Sequence, residues 1–156
     1  MPIYGIAVDI GATYLRVAIV RENGIHYKIQ APTVREGDSL SIPRQIDSLI
    51  RHLLNKTGVG VEDIKGIGIG SIGPLDLRKG RILKTANLPF ENVPLVEYLQ
   101  DKYRVPVSLL NDCTAAVVGE KHFGRGRDHD NLVYVTISTG IGGGAYVDGC
   151  LLYTSP

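Results

Sequence analysis

The sequence predicts an α/β fold built on a sheet of mixed direction, and three observations carry that prediction. Two apolar, β-branched runs at residues 3–8 and 14–22 flank a glycine turn, and Asn23-Gly24 then signals a hairpin into residues 25–30. Further on, segments with helical spacing alternate with short apolar runs, the order expected of strands joined by helices. A polar link, Arg125-Gly126-Arg127-Asp128-His129-Asp130, precedes a fresh apolar run from Leu132. Three antiparallel strands followed by helix–strand alternation give a mixed sheet.

Each later element has its own signal. Ser41 is placed to cap a helix over residues 41–56, with Pro43 in its first turn. Ile46, Leu49, Ile50, Leu53 and Leu54 recur on one face of that helix, and Gly58 is placed to end it. Residues 64–70 read as a glycine-interleaved strand. Pro94 opens a second helix with Leu95, Leu99 and Tyr103 inward, and residues 105–110 return as a strand. Residues 113–123 read as a helix carrying Ala115, Ala116 and Val117, and residues 132–137 begin a new sheet.

Composition narrows the function. In 156 residues, 44% are apolar and 21% charged, enough for a buried core and against disorder. A formal net charge of +1 without a basic run argues against electrostatic capture of nucleic acid. No stretch approaches bilayer length, so no membrane partner is expected. Asp9 interrupts the first apolar run, which therefore reads as a strand and not as a signal peptide. Cys113 and Cys150 have neither zinc spacing nor a disulfide framework, and a cytoplasmic location fits.

Two distant stretches share one chemistry. Asp9-Ile10-Gly11-Ala12-Thr13 and Ser138-Thr139-Gly140-Ile141-Gly142-Gly143-Gly144 each set glycine beside small hydroxyls between strand-like runs. Such loops offer bare amides and hydroxyls to phosphate oxygens. The first alone also reads as an ordinary turn, the second as a glycine-rich hairpin. Asp9 beside anionic oxygens calls for Mg²⁺ between them, directly or through water. Asn111-Asp112 stands where a strand gives way to a helix. Asp112 there either caps the helix or accepts a proton from a substrate hydroxyl. Asn111 brings a donor and an acceptor, as sugar recognition demands. Thr85-Ala86-Asn87-Leu88-Pro89-Phe90 adds an exposed amide beside an aromatic ring, or a surface turn with an apolar plug.

Other patterns exclude alternatives. Gly68-Ile69-Gly70-Ser71-Ile72-Gly73 matches a dinucleotide string, but Pro74 follows where a helix is required. Residues 140–145 fail the same test because a strand follows, and no Walker loop is present. His26, His52, His122 and His129 lack metal-ligand spacing. Cys113 reads as a buried helical thiol and Glu120 as an ordinary helix charge.

In order and spacing these motifs resemble the ROK family of sugar kinases, over residues 3–149. That family lies in the actin, hexokinase and heat-shock-chaperone ATPase superfamily, so the resemblance implies a ribonuclease-H-like fold. Residues 9–13 resemble its first phosphate motif, and Gly70-Ser71-Ile72-Gly73-Pro74-Leu75-Asp76 the loop over the sugar. Ala86-Asn87-Leu88-Pro89 is similar to its sugar-binding turn, with Phe90 where Trp is common. Leu110-Asn111-Asp112-Cys113-Thr114-Ala115-Ala116 with Gly119-Glu120 resembles the catalytic segment, and residues 136–144 the second phosphate motif.

The resemblance implies ATP-dependent phosphorylation of a hexose, glucose first, at its 6-hydroxyl, with Asp112 as general base. Gly73, Asn87, Asn111 and Asp112 would hold the sugar. Asp9, Gly11, Thr13, Thr139, Gly140 and Gly142 would serve the nucleotide, with Asp9 acting on Mg²⁺ through water. It further implies a homodimer at full length and a role in glycolysis. A sugar-responsive transcriptional repressor of the same family is the first alternative, another ATPase of the superfamily the second. Residues 1–124 would form the first domain and residues 125–149 the start of a second. Cys150-Leu151-Leu152-Tyr153-Thr154-Ser155-Pro156 departs from the family pattern and is expected to be a non-native tail. The family's zinc motif is not among these residues, and the 156 residues alone are expected to be inactive.

Overall fold

The structure, a computed structural model, describes residues 3–137 and 140–152. Ser138 and Thr139, from the expected second phosphate motif, and residues 153–156 lie outside the described residues. The chain opens with β1 (Tyr4–Ile10), β2 (Tyr14–Arg21) and β3 (Gly24–Pro32), followed by α1 (Ser41–Thr57) and β4 (Ile64–Ser71). An excursion of three two-residue strands, β5 (Leu75–Asp76), β6 (Arg81–Ile82) and β7 (Val93–Pro94), leads into α2 (Leu95–Tyr103). Then come β8 (Val107–Asn111), α3 (Asp112–Phe123), β9 (Leu132–Ile137), β10 (Ile141–Val147) and β11 (Cys150–Leu152). Among the described residues, no helix is long and apolar enough to cross a membrane.

The main sheet runs β3-β2-β1-β4-β8. Its first three strands form an antiparallel meander, and β4 and β8 extend it in parallel beyond β1. This is the mixed sheet that the sequence predicts. Alternation decides its two faces. Ile6, Val8 and Ile10, Leu15, Val17 and Ile19, and Ile67 and Ile69 are all buried in one core. Onto that face α1 lays Ile42, Ile46, Ile50 and Leu53, and α2 lays Leu95 and Leu99, each fully buried. Burial of one such side chain contributes about 1.5–3 kcal/mol, so this layer holds the fold together.

The other face is built from small residues and has a different use. Gly68, Gly70 and Ser108 alternate with the core positions of β4 and β8. A Cβ at Gly70 would lie 3.3 Å from the Ala115 Cβ, so α3 reaches the sheet there because both residues are small. Most of this face is left open as the floor of a cleft.

Some boundaries differ from expectation. The first hairpin turns at Glu22 and Asn23, and Gly24 (φ 123°) already pairs with Arg21. Ser41 is the first residue of α1 and not its cap. Asp38 Oδ1 accepts the Leu40 amide at 2.9 Å, which starts the turn one residue earlier. Gly58 does end α1, at φ 71°, with its amide on the Leu54 carbonyl at 2.9 Å.

The second sheet, β11-β10-β9, is antiparallel. One feature of it differs from the sequence reading. The glycine run expected as a loop is mostly strand, since β10 begins at Ile141 and contains Gly142, Gly143 and Gly144. Residues 150–152, set apart in the sequence as a tail, pair in register with β10 through Val147↔Cys150 and Ala145↔Leu152. One face of this sheet packs on α3. The other leaves Val133, Val135, Ile137 and Ile141 bare, at 69%, 58%, 80% and 81% exposure.

Candidate active site

Three parallel strands end at one edge of the main sheet. Ile10 pairs with Ser71 and Ser71 with Asn111, so the loops after β1 and β4 and the start of α3 emerge side by side. Crevices beyond the carboxyl ends of parallel strands are where open α/β sheets bind ligands. Here the crevice is a cleft of about 1070 Å³. Asp9, Gly11, Thr13, Gly73, Asn87, Asn111 and Asp112 line it from the first sheet, and Gly140 and Gly142 from the second. Every candidate site residue within the described residues therefore faces one space; Thr139 lies outside them. A smaller depression of about 510 Å³ runs along β8 beside α2 and holds none of these residues.

The first bend is held open from behind. The Gly11 amide donates to the Tyr14 carbonyl at 3.0 Å, closing a tight turn. The segment after β3 then ties back three successive carbonyls. Thr33 Oγ1 donates to Gly11 O at 2.8 Å, Arg35 Nη1 to Ala12 O at 3.3 Å, and the Thr33 amide to Thr13 O at 2.9 Å. In a planar trans peptide the carbonyl and the following amide point opposite ways. The amides of Ala12 and Thr13 therefore turn away from Thr33 and Arg35, and neither has a backbone acceptor among the described residues. Adjacent free amides of this kind make an anion-binding concavity.

Asp9 is not alone at this bend. Arg16, its cross-strand partner in the hairpin, donates Nη1 to Asp9 Oδ2 at 2.7 Å and Nε to Gln30 at 2.8 Å. Both side chains of the pair are half-exposed at the cleft. Asp9 Oδ1 keeps no donor among the described residues. A lone carboxylate with one oxygen free suits a Mg²⁺ that retains most of its own water, so the residues present fit that ion.

The strand-to-helix junction divides its labour. Asn111 caps α3: its Oδ1 accepts the Cys113 amide at 3.1 Å. Its acceptor is thereby used, and the amide Nδ2 is what it presents beside Gly73, 3.8 Å from where a Gly73 Cβ would be. Asp112 is the first helical residue, and its Oδ1 also takes the Cys113 amide, at 2.8 Å. The cap position belongs to Asn111, and the two side chains share the Cys113 amide. Asp112 Oδ2 accepts from no N–H or O–H donor among the described residues, and the Cys113 thiol lies beside the carboxylate. Burial pushes the Cys113 thiol up from its ordinary value, and the neighbouring Asp112 charge adds to the shift. Cys113 is a packing thiol. Glu120 accepts the Arg125 amide at 3.2 Å and serves the helix end.

Asn87 stands exposed on a turn anchored by buried Leu88 and Phe90, so the apolar plug and the exposed amide are parts of one device. Arg35 Nη1 also reaches the Asn87 carbonyl at 3.3 Å, bridging this turn to the first bend. At the second bend, a Cβ on Gly140 would meet nothing within 4 Å among the described residues. The sequence reading missed Arg16, Thr33 and Arg35. Only Arg16 had a signal there, since a short turn after β1 places it opposite Asp9.

A mixed five-stranded sheet and a second, antiparallel sheet that line one cleft define the ribonuclease-H-like fold of the actin-like ATPases. The structure superposes with a TM-score of 0.81 and 28% identity on a ROK family glucokinase from Streptomyces griseus, solved in complex with glucose and AMPPNP. The match covers 96% of this chain and 46% of that one. Residues 5–154 match the ROK family, and the chain belongs to it. Among curated proteins it is 38% identical to a glucokinase of Pyrobaculum calidifontis, over 94% of this chain and 44% of that protein. It is also 32% identical to a xylose repressor of Bacillus subtilis, over 95% of this chain and 38% of that protein. The chain spans about half the length of the curated relatives it matches.

Proposed function

We propose that this chain carries the catalytic half-site of an ATP-dependent hexose kinase, with glucose as first substrate and its 6-hydroxyl as acceptor. One observation carries the reading: Asp112 and described residues of both bends line the same cleft. Asp112 takes the proton of the attacking hydroxyl, worth about 10²–10⁴-fold in rate. Asn87, the Asn111 amide and the bare backbone at Gly73 orient the sugar. Phosphates lie on the amides of Ala12 and Thr13, on Thr13 and Thr139, and at Gly11 and Gly140. Asp9 would hold Mg²⁺ through water, and the bound ion would neutralise charge on the transferring phosphoryl group. Arg16 fixes Asp9 for that task. Residues 125–130 mark the division between two domains, and turnover requires a chain of family length, in its cytoplasmic homodimeric form.

A sugar-responsive repressor is the second reading, favoured by the similarity to the xylose repressor. The deciding measurement is ATP-dependent phosphorylation of a hexose panel by the family-length protein, with Asp112→Ala alongside. The expected result is glucose turnover that falls about 10²–10⁴-fold in the variant while glucose still binds. Glucose binding without turnover in the unaltered protein would favour the repressor. Turnover that survives D112A would remove Asp112 from its role.

A further inference from the structure

The glycines of β10 have an unexpected neighbour. A Cβ at Gly142 would lie 2.6 Å from Cys113 Sγ and 3.2 Å from Thr136 Cγ2. One at Gly144 would lie 2.7 Å from the Cys113 carbonyl oxygen and 2.9 Å from Val117 Cγ1. Cys113 and Val117 are both buried, so neither has room to step aside. Gly70 does the same from the other side, with Ala115 Cβ at 3.3 Å and the Asp112 Cα at 3.8 Å. Helix α3 is thus wedged between the sheets on three glycines, and Asp112 is the charged residue it presents at the cleft.

We propose that Gly142 is a positioning residue: its bare Cα is the socket for the Cys113 side chain, and this seat fixes the Asp112 carboxylate at the cleft. Approach of a ligand is not what forbids a side chain at Gly142. The inference deepens the kinase reading and rests on it for its rate effect, whereas the contact itself does not depend on the reaction. A Cβ at residue 142 pushes Cys113 and moves Asp112 with it. A displacement of about 1 Å at a catalytic group costs up to about 10²-fold in rate.

The test is a rescue. In the family-length protein, Gly142→Ala should lower kcat about tenfold or more while the KM for sugar and nucleotide changes little. Adding Cys113→Ala removes the Sγ obstacle and should return most of that loss, a large departure from additivity. Cys113→Ser gives a smaller rescue, because its oxygen still fills part of the socket. Gly144→Ala serves as the control. Its main obstacle is the Cys113 carbonyl, so C113A should not rescue it. Equal impairment of G142A and the double variant overturns the proposal, as does a rise in nucleotide KM at constant kcat. The thermal midpoints of the 156-residue chain give an independent reading of the contact. G142A should lower the midpoint and C113A should restore it. If that pattern holds but the unaltered family-length protein phosphorylates no sugar, the kinase reading has failed and the seat stands. If the midpoints show no rescue, the seat has failed.

Discussion

Both hairpins that face the cleft carry glycine where a side chain would collide, but the obstacles differ. At Gly11 a Cβ would meet the Tyr14 carbonyl at 3.0 Å, within the turn itself. At Gly142 and Gly144 it would meet α3, a separate element. The first bend is a self-contained device, tied back by Thr33 and Arg35 and set in a sheet with a thick apolar layer behind it. The second is a surface on which a helix sits, and its outer face is bare. Similar glycine-rich strings therefore have different causes. In one, glycine shapes a loop; in the other, it admits a neighbour.

The largest expected effect comes from filling the second seat. Gly144→Ala drives a methyl into backbone and a buried valine, and overpacking of that kind costs about 1–3 kcal/mol. Gly140→Ala, where a Cβ meets nothing within 4 Å among the described residues, should stay within about 0.5 kcal/mol. Denaturant unfolding of the 156-residue chain separates the two. Equal costs would mean that conformational freedom, and not α3, explains the glycines of β10.

This contrast also marks what the sequence could reveal. The first meander and α1 were legible because apolar strand runs and one-face helical patterns are local, and Gly58 is a local stop signal, whereas α3 was read from its run of small apolar residues alone. The set of residues around the cleft was legible from motif chemistry and order. The start of β10 was not, because three consecutive glycines carry low strand propensity and their compensation lies in α3. The Asp9–Arg16 pair needed the hairpin register, which the short turn after β1 signals and alternation alone does not fix. Thr33 and Arg35 were hidden for another reason: polar side chains in a loop give no sign of which distant carbonyl they will meet.

A second prediction sets the cover of the first sheet against acid. Asp47 of α1 is buried and joins α1 to α2 through Tyr103 Oη at 2.7 Å and Lys102 Nζ at 2.7 Å. Burial would raise its carboxyl, but hydrogen bonds from Lys102 and Tyr103, and the charges of Lys102 and Arg51, hold it below its ordinary value. A depressed carboxyl stabilises the fold above its unfolded pKa, about 3.9, and loses that contribution as pH falls through the folded value. Asp47→Asn should therefore cost about 1–2 kcal/mol at neutral pH, kept modest because Lys102 and Arg51 are solvated. The gap to the unaltered chain should narrow as pH falls below about 4. Chemical denaturation across that range checks it, and a gap that does not change with pH would contradict it.

The smallest effect tests the tie behind the first bend. Thr33 is 4% exposed, and its Oγ1 donates to Gly11 O at 2.8 Å. Thr33→Val keeps the shape and deletes the donor, leaving a carbonyl without its side-chain partner at a cost of about 1 kcal/mol. The Thr33 amide still holds Thr13, so the bend loosens without opening fully. Freed from Thr33, the Gly11–Ala12 peptide can rotate, and the Ala12 amide loses its fixed aim into the cleft. Hydrogen exchange should quicken at the bonded amides of Gly11 and Thr33 and stay unchanged over residues 140–147, because the second sheet takes its support from α3 and not from this segment. Quickening at both bends would mean that the two share one support; quickening at neither would mean that the turn through Tyr14 suffices alone.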